Sequence, residues 1–170
     1  MTNVSRLSTV LFFTLLFVMT PLFSPLSAGS DGLSYQRWGV RGGFSFDVDQ
    51  ILLGAHVDLG TVLEDRLRFE PNAELGFGDN HITVGVAADL KYLFEGEDFV
   101  PYLIGGIQLT HDNFDVDSRN HGSDSKTSIA LNMGGGLSFP IDRREYFVDI
   151  RLGVIKPAHS FRIVVGTFFD

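Results

Sequence analysis

The stretch Ile82-Thr83-Val84-Gly85-Val86-Ala87-Ala88-Asp89-Leu90-Lys91-Tyr92-Leu93-Phe94 puts Ile82, Val84, Val86, Ala88, Leu90, Tyr92 and Phe94 on one side. Thr83, Gly85, Ala87, Asp89 and Lys91 fall on the other. Successive side chains of a strand point to opposite faces, so this period of two is a β-strand with one apolar face. Working outward, the same reading fits Trp38–Val48, with Arg37, Gly39, Arg41, Gly43, Ser45 and Asp47 interleaved. It fits Leu53, Ala55, Val57, Leu59, Thr61 and Leu63 against Gly54, His56, Asp58, Gly60, Val62 and Glu64. It fits Leu67–Phe77 against Arg68, Glu70, Asn72, Glu74, Gly76 and Gly78. Ile129–Ile141, Tyr146–Val154 and Phe161–Phe169 alternate in the same way, and Val100–Thr110 is apolar on both faces, leaving its orientation open. The expectation is an all-β chain of eight strands. Asp65-Arg66, Gly96-Glu97 and Asp142-Arg143 read as tight turns. The remaining connections centre on Asp49-Gln50, Asp79-Asn80, the long stretch His111–Lys126 and Pro157-Ala158.

Composition agrees and removes several function classes. Of 170 residues, 44% are hydrophobic, with Gly 19 and Phe 16. Lys+Arg 13 against Asp+Glu 21 gives −8, so nucleic acid is not an expected partner. With Cys 0 there are no disulfides, thiolate metal sites or cysteine nucleophiles. Residues 1–28 read as a cleaved signal peptide. Arg6 precedes the apolar run Val10–Met19, Pro21 and Pro25 break it, and Ala28 offers a cleavage position. The run is about half of the roughly twenty residues a spanning helix needs. Residues 29–36 then form a short N-terminal segment, and 37–170 form the barrel domain. No later apolar run reaches helical-span length, so a chain that enters a membrane does so as strands.

Alternation alone does not say which face meets water. A soluble lipocalin-like barrel turns its apolar face inward, and a transmembrane barrel turns it toward lipid. No apolar-face position in the assignable strands is charged, although 20% of the chain is. The opposite face is rich in Gly, Ser, Ala and Asn, which suits the crowded interior of a small barrel better than a solvated surface. Its mid-strand charges are Arg41, Arg68, Lys91, Arg151 and Arg162 against Asp58, Glu70, Glu74, Asp89 and Asp149. Equal numbers of each sign are what an ion-paired interior requires, because a buried charge without a partner costs several kcal/mol. The fold expected is an eight-stranded antiparallel up-and-down transmembrane β-barrel. A soluble periplasmic ligand-binding barrel is the alternative.

Three passages resemble the small eight-stranded outer-membrane β-barrel proteins of Gram-negative bacteria. They are Trp38-Gly39-Val40-Arg41-Gly42-Gly43-Phe44, Val100-Pro101-Tyr102-Leu103-Ile104-Gly105-Gly106 and the last strand Phe161–Phe169. The resemblance implies a monomer in the cell outer membrane, in contact with its lipid and lipopolysaccharide. It implies periplasmic chaperones and the barrel-assembly machinery as partners during biogenesis, and a structural, envelope-integrity or surface-interaction role. The family's last strand normally ends in an aromatic residue read by that machinery. Here Phe169 is followed by Asp170, a departure that bears on assembly efficiency. Pro71 on the apolar face cannot donate to a ladder, and a local bulge is expected there.

Candidate chemistry is sparse, and no catalytic residue, cofactor or metal site is expected. Some barrels of this kind modify lipid A, and the deacylases use a His, a Ser two residues later and a distant acid. His159-Ser160 are adjacent and would point to opposite faces. His111-Asp112-Asn113-Phe114-Asp115-Val116-Asp117 with Asp124 offers oxygen ligands without the glycine and glutamate spacing of a calcium loop, and His111 and His121 are widely separated. His56 beside Asp58 reads as part of the interior network. Gly39, Gly54 and Gly85 leave at most small gaps rather than a pore, since open channels come with more strands.

Overall fold

A computed structural model describes residues 33–63, 66–78, 81–114, 124–154 and 161–170. The signal-peptide stretch, Pro157-Ala158 and His159-Ser160 lie outside the described residues. Tyr35–Asp170 forms one compact unit. Its strands are β1 (Arg37–Ser45), β2 (Gln50–Asp58), β3 (Thr61–Leu63), β4 (Leu67–Gly78) and β5 (His81–Leu93). β6 (Val100–Phe114), β7 (Asp124–Ile141), β8 (Arg144–Gly153) and β9 (Arg162–Phe169) follow.

Neighbouring strands pair antiparallel in the order β2-β1-β9-β8-β7-β6-β5-β4-β3, and β2 also pairs with β4. That pairing closes the sheet, because β2 and β3 are successive parts of one crossing laid against β4. The result is a closed antiparallel barrel of eight crossings, which leaves no sheet edge to be blunted. The β3–β4 connection and the turns at Phe94–Phe99 and Asp142-Arg143 lie at the end that holds Tyr35 and Asp170; Asp65 itself lies outside the described residues.

The apolar faces point outward. Trp38, Val40, Leu53, Leu75, Leu90, Val148 and Val165 are all exposed, while Arg41, Asp58, Glu74, Asp89 and Asp149 are buried. This is the opposite of the soluble lipocalin-like arrangement. The strand whose orientation the sequence leaves open is also settled. Tyr102, Ile104 and Gln108 face inward, and Leu103, Ile107 and Leu109 face outward.

Four details depart from the period-two reading. β1 ends at Ser45, and Phe46–Asp49 form the turn rather than extending the strand to Val48; Asp49 adopts a φ of 45° there. The second crossing is not continuous from Leu53 to Glu64. Leu59 N–H donates to Phe69 O (3.0 Å) and Phe69 N–H donates to Gly60 O (2.9 Å), so two residues oppose one. Gly60 takes a φ of 82°, and Thr61 then faces Arg68, so the alternation slips by one residue. Pro71 sits in regular register opposite Ala88 on the β5 side. On its other side the ladder runs only to His56↔Asn72 before the bulge, so the missing N–H falls in the interrupted stretch. Lastly, His111–Lys126 is not all loop. β6 continues to Phe114 and β7 begins at Asp124, with His111 opposite Thr127 and Asp112 opposite Lys126.

Candidate functional site: the packed interior of the barrel

Nine of the ten charged residues assigned to the interior are buried, and Arg68 is half-buried toward the end that holds the termini. They do not form one network. At the centre, Arg151 Nη1 lies 2.6 Å from Asp89 Oδ2, and Arg151 Nη2 lies 2.7 Å from Asp149 Oδ2. Arg41 pairs with Glu74 and also donates to Asn72 Oδ1, while Asn72 Nδ2 donates to Asp89 (2.8 Å). Arg162 meets the other oxygen of Glu74 at 3.1 Å and donates to Gln108 (2.9 Å), which also accepts from Asn132 (2.8 Å). Charged donors and acceptors so arranged stabilise one another in a low-dielectric interior, where either alone would be costly.

A second cluster closes the end that carries the termini. Asp58 accepts from Arg37 Nε (3.2 Å) and approaches Arg68 Nε (3.3 Å). Arg37 reaches Glu145 at 2.7 Å, and Ser138 donates to the same carboxylate. Asp58 also accepts from the Gly60 N–H (2.9 Å), which ties this cluster to the bulge. Arg37 and Glu145 were not among the residues assigned from sequence. Arg37 already falls on the interleaved face of the first strand, and Glu145 stands two residues before Phe147 in the inward phase of β8, so counting charges to the strand ends finds both. With them included, each cluster carries as many cations as carboxylates.

Between the two lies an aromatic cluster that the emphasis on small and ionic residues missed. Phe147, Phe168, Tyr102, Ile104 and Val164 are buried together. His56 stands edge-on to Phe168 (4.6 Å) and Phe147 (5.2 Å), and neither ring nitrogen has a hydrogen-bond partner among the described residues. Lys91 Nζ lies 4.5 Å from the Phe147 ring centroid, 4.8 Å from Tyr102 and 3.0 Å from Glu70, a cation held by two ring faces and a carboxylate. Tyr102 donates to Asp149, and the Arg37 guanidinium stacks 3.9 Å over Phe168, so the aromatic cluster touches both ionic ones. Room for these rings comes from facing glycines. A Cβ on Gly39 would lie 2.3 Å from His56 Nε2, and one on Gly166 would lie 2.4 Å from Phe147 Cζ.

Toward the opposite end, Gln50 donates to Thr83 (2.9 Å), and Thr83 donates to Asp112 (2.6 Å). Asp112 is thereby engaged within the wall, and His111 meets Thr127 at 2.9 Å. Of the remaining oxygen donors considered for a cation, Asp115 and Asp117 lie outside the described residues, as does His121. Among the described residues no three potential ligands converge. The arrangement as a whole is a filled core of paired charges and rings, chemically suited to holding a barrel shut and rigid.

No family model and no curated protein sequence matches the chain. Solved structures do. The N-terminal β-barrel domain of Pseudomonas aeruginosa OprF aligns with a TM-score of 0.63 and 17% identity, over 81% of this chain and 98% of that one. Neisserial surface protein A aligns with a TM-score of 0.62 and 16% identity, over 81% of this chain and 97% of that one. At such identities the likeness concerns backbone architecture, and it spans nearly the whole of both solved barrels. With its apolar outer face and ion-paired interior, the chain has the fold of the small eight-stranded outer-membrane β-barrels.

Proposed function

We propose that this chain is a non-enzymatic protein of the cell outer membrane, exported through a cleaved signal peptide, with a structural, envelope-integrity or surface-interaction role. One observation carries the reading. The molecule is inside out relative to a soluble barrel, with its large apolar side chains exposed around the wall and its charges buried and paired within. Such an outer face is stable only against acyl chains. The filled interior supports a role that needs neither a pore nor a ligand cavity inside the barrel. With a periplasmic amino terminus, antiparallel connectivity supports a β6–β7 connection on the cell exterior, where a surface interaction would be made. Lipid, lipopolysaccharide and, during biogenesis, the assembly machinery and its chaperones are the partners that follow.

Heat-modifiable gel migration of membrane fractions tests the reading. The unboiled protein is expected to run as a compact, SDS-resistant form that shifts on boiling. Recovery in the aqueous fraction after detergent-free lysis, with no such shift, would overturn the membrane assignment. A changed acylation pattern of cellular lipid A on overexpression would overturn the non-enzymatic part alone.

A further inference from the structure

The described cations divide into two groups. Every interior one meets a carboxylate, and so does exposed Arg66, through Glu95. Arg143, Arg144 and, at the opposite end, Lys126 are exposed and form no ion pair among the described residues; only the two arginines stand together. Arg143 lies in the two-residue turn and Arg144 opens β8 beside it, with Ile141 facing Arg144 and Asp142 at a φ of 54°. Arg144 is two residues from outward-facing Tyr146, so it shares the outer face at the rim nearest the termini. Its guanidinium lies 5.1 Å over the Phe169 ring, and Phe169 in turn lies 4.8 Å from Trp38.

We infer that the Arg143–Arg144 turn, with Trp38 and Phe169, binds the phosphate headgroup of an anionic phospholipid in the leaflet nearest the chain termini. The inference rests on the membrane reading above. A guanidinium placed over a ring face keeps N–H donors for other partners, and its planar fork matches phosphate oxygens in a bidentate manner. Trp38 and Phe169 supply the amphipathic and apolar surface that sits where headgroup gives way to acyl chain. The acids nearest along the chain do not compete. Asp142 and Asp170 pair with neither arginine, and Glu145 is turned inward to Arg37 and Ser138. A net charge of −8 gives the chain as a whole no attraction for an anionic surface, so the attraction is local to this turn.

The test uses the protein extracted from membranes and reconstituted in nanodiscs of equal phosphatidylcholine and phosphatidylglycerol, with retained lipids counted by native mass spectrometry. The wild type is expected to enrich phosphatidylglycerol by about fivefold for each of the two arginines, from about 1 kcal/mol apiece. R143Q/R144Q should lose the enrichment, and K126Q, at the opposite end, should keep it. An unchanged preference in R143Q/R144Q overturns the proposal, as does displacement of the lipid by inorganic phosphate, which would indicate a site for a free anion. A chain that never enters the bilayer fails the membrane reading and takes this proposal with it. One that enters with no lipid preference overturns the proposal alone.

Discussion

Gly39 shows how closely single residues are fitted inside this barrel. A methyl group there would lie 2.3 Å from both His56 Nε2 and the Thr167 carbonyl oxygen, and backbone cannot step aside as a flexible side chain can. Gly39→Ala is therefore expected to destabilise by about 1–3 kcal/mol, the usual cost of overpacking. The check is urea unfolding of the refolded protein in detergent micelles. Gly105→Ala is the matched control, because its Cβ would meet nothing within 4 Å; it should be neutral or slightly stabilising. His56 belongs to the same scale. Its place beside Asp58 in the alternation made it a member of an interior polar network, and the interior position is where it stands. Its neighbours, however, are the Phe147 and Phe168 rings.

Among the elements, the crossing made by β2 and β3 is the irregular one. Its bulge lets Asp58 turn back to bond the Gly60 N–H while Thr61 comes opposite Arg68, so the break in the ladder and the ionic cluster depend on each other. Gly60 at φ 82° is in the left-handed region that a β-branched residue avoids. Gly60→Val should cost about 1–3 kcal/mol through backbone strain. It should also loosen Arg68 and Arg37 from Asp58, which faster amide exchange at Leu59 and Phe69 would reveal. Unchanged exchange there would mean that the cluster does not depend on the bulge. The strands on either side show what could be read in advance. β4 and β5 match their alternation residue by residue, because a one-residue slip would carry every apolar side chain to the wrong face. The slip at Gly60 was not legible, since Thr61, Val62 and Leu63 suit either phase.

Across the whole molecule, neutrality of the interior is the property that single substitutions violate. Arg151 is 1% exposed and Asp89 is 0% exposed, so removing one partner leaves a charge with no route to water. Arg151→Met is expected to cost about 3–5 kcal/mol, and adding Asp89→Leu in the same chain should recover a large part of it by restoring equal numbers of each sign. Unfolding midpoints of the two variants in micelles decide this. A double variant as unstable as the single one would mean that individual hydrogen bonds, rather than net neutrality, hold the interior. Closure of the sheet is also a whole-molecule property, since β2 must meet β4 for the last hydrogen-bonding row to be satisfied in lipid.

The number of crossings, the outward turn of the apolar faces and the membership of most interior charges were determined by sequence alone. The crossings follow from the period of two, and the outward turn follows from the small residues and balanced charges of the opposite face, which suit a crowded interior. Tertiary structure decided what depends on meetings between strands. It set the orientation of β6, both of whose faces carry large apolar residues, so that pairing with β5 and β7 had to choose between them. It also placed the bulge at Leu59-Gly60 opposite Phe69, brought Arg37 to Glu145 across the barrel, and gathered rings from β6, β8 and β9 around Lys91. These contacts join residues far apart in the chain. No local pattern encodes them, because the glycines that make room for them lie on other strands.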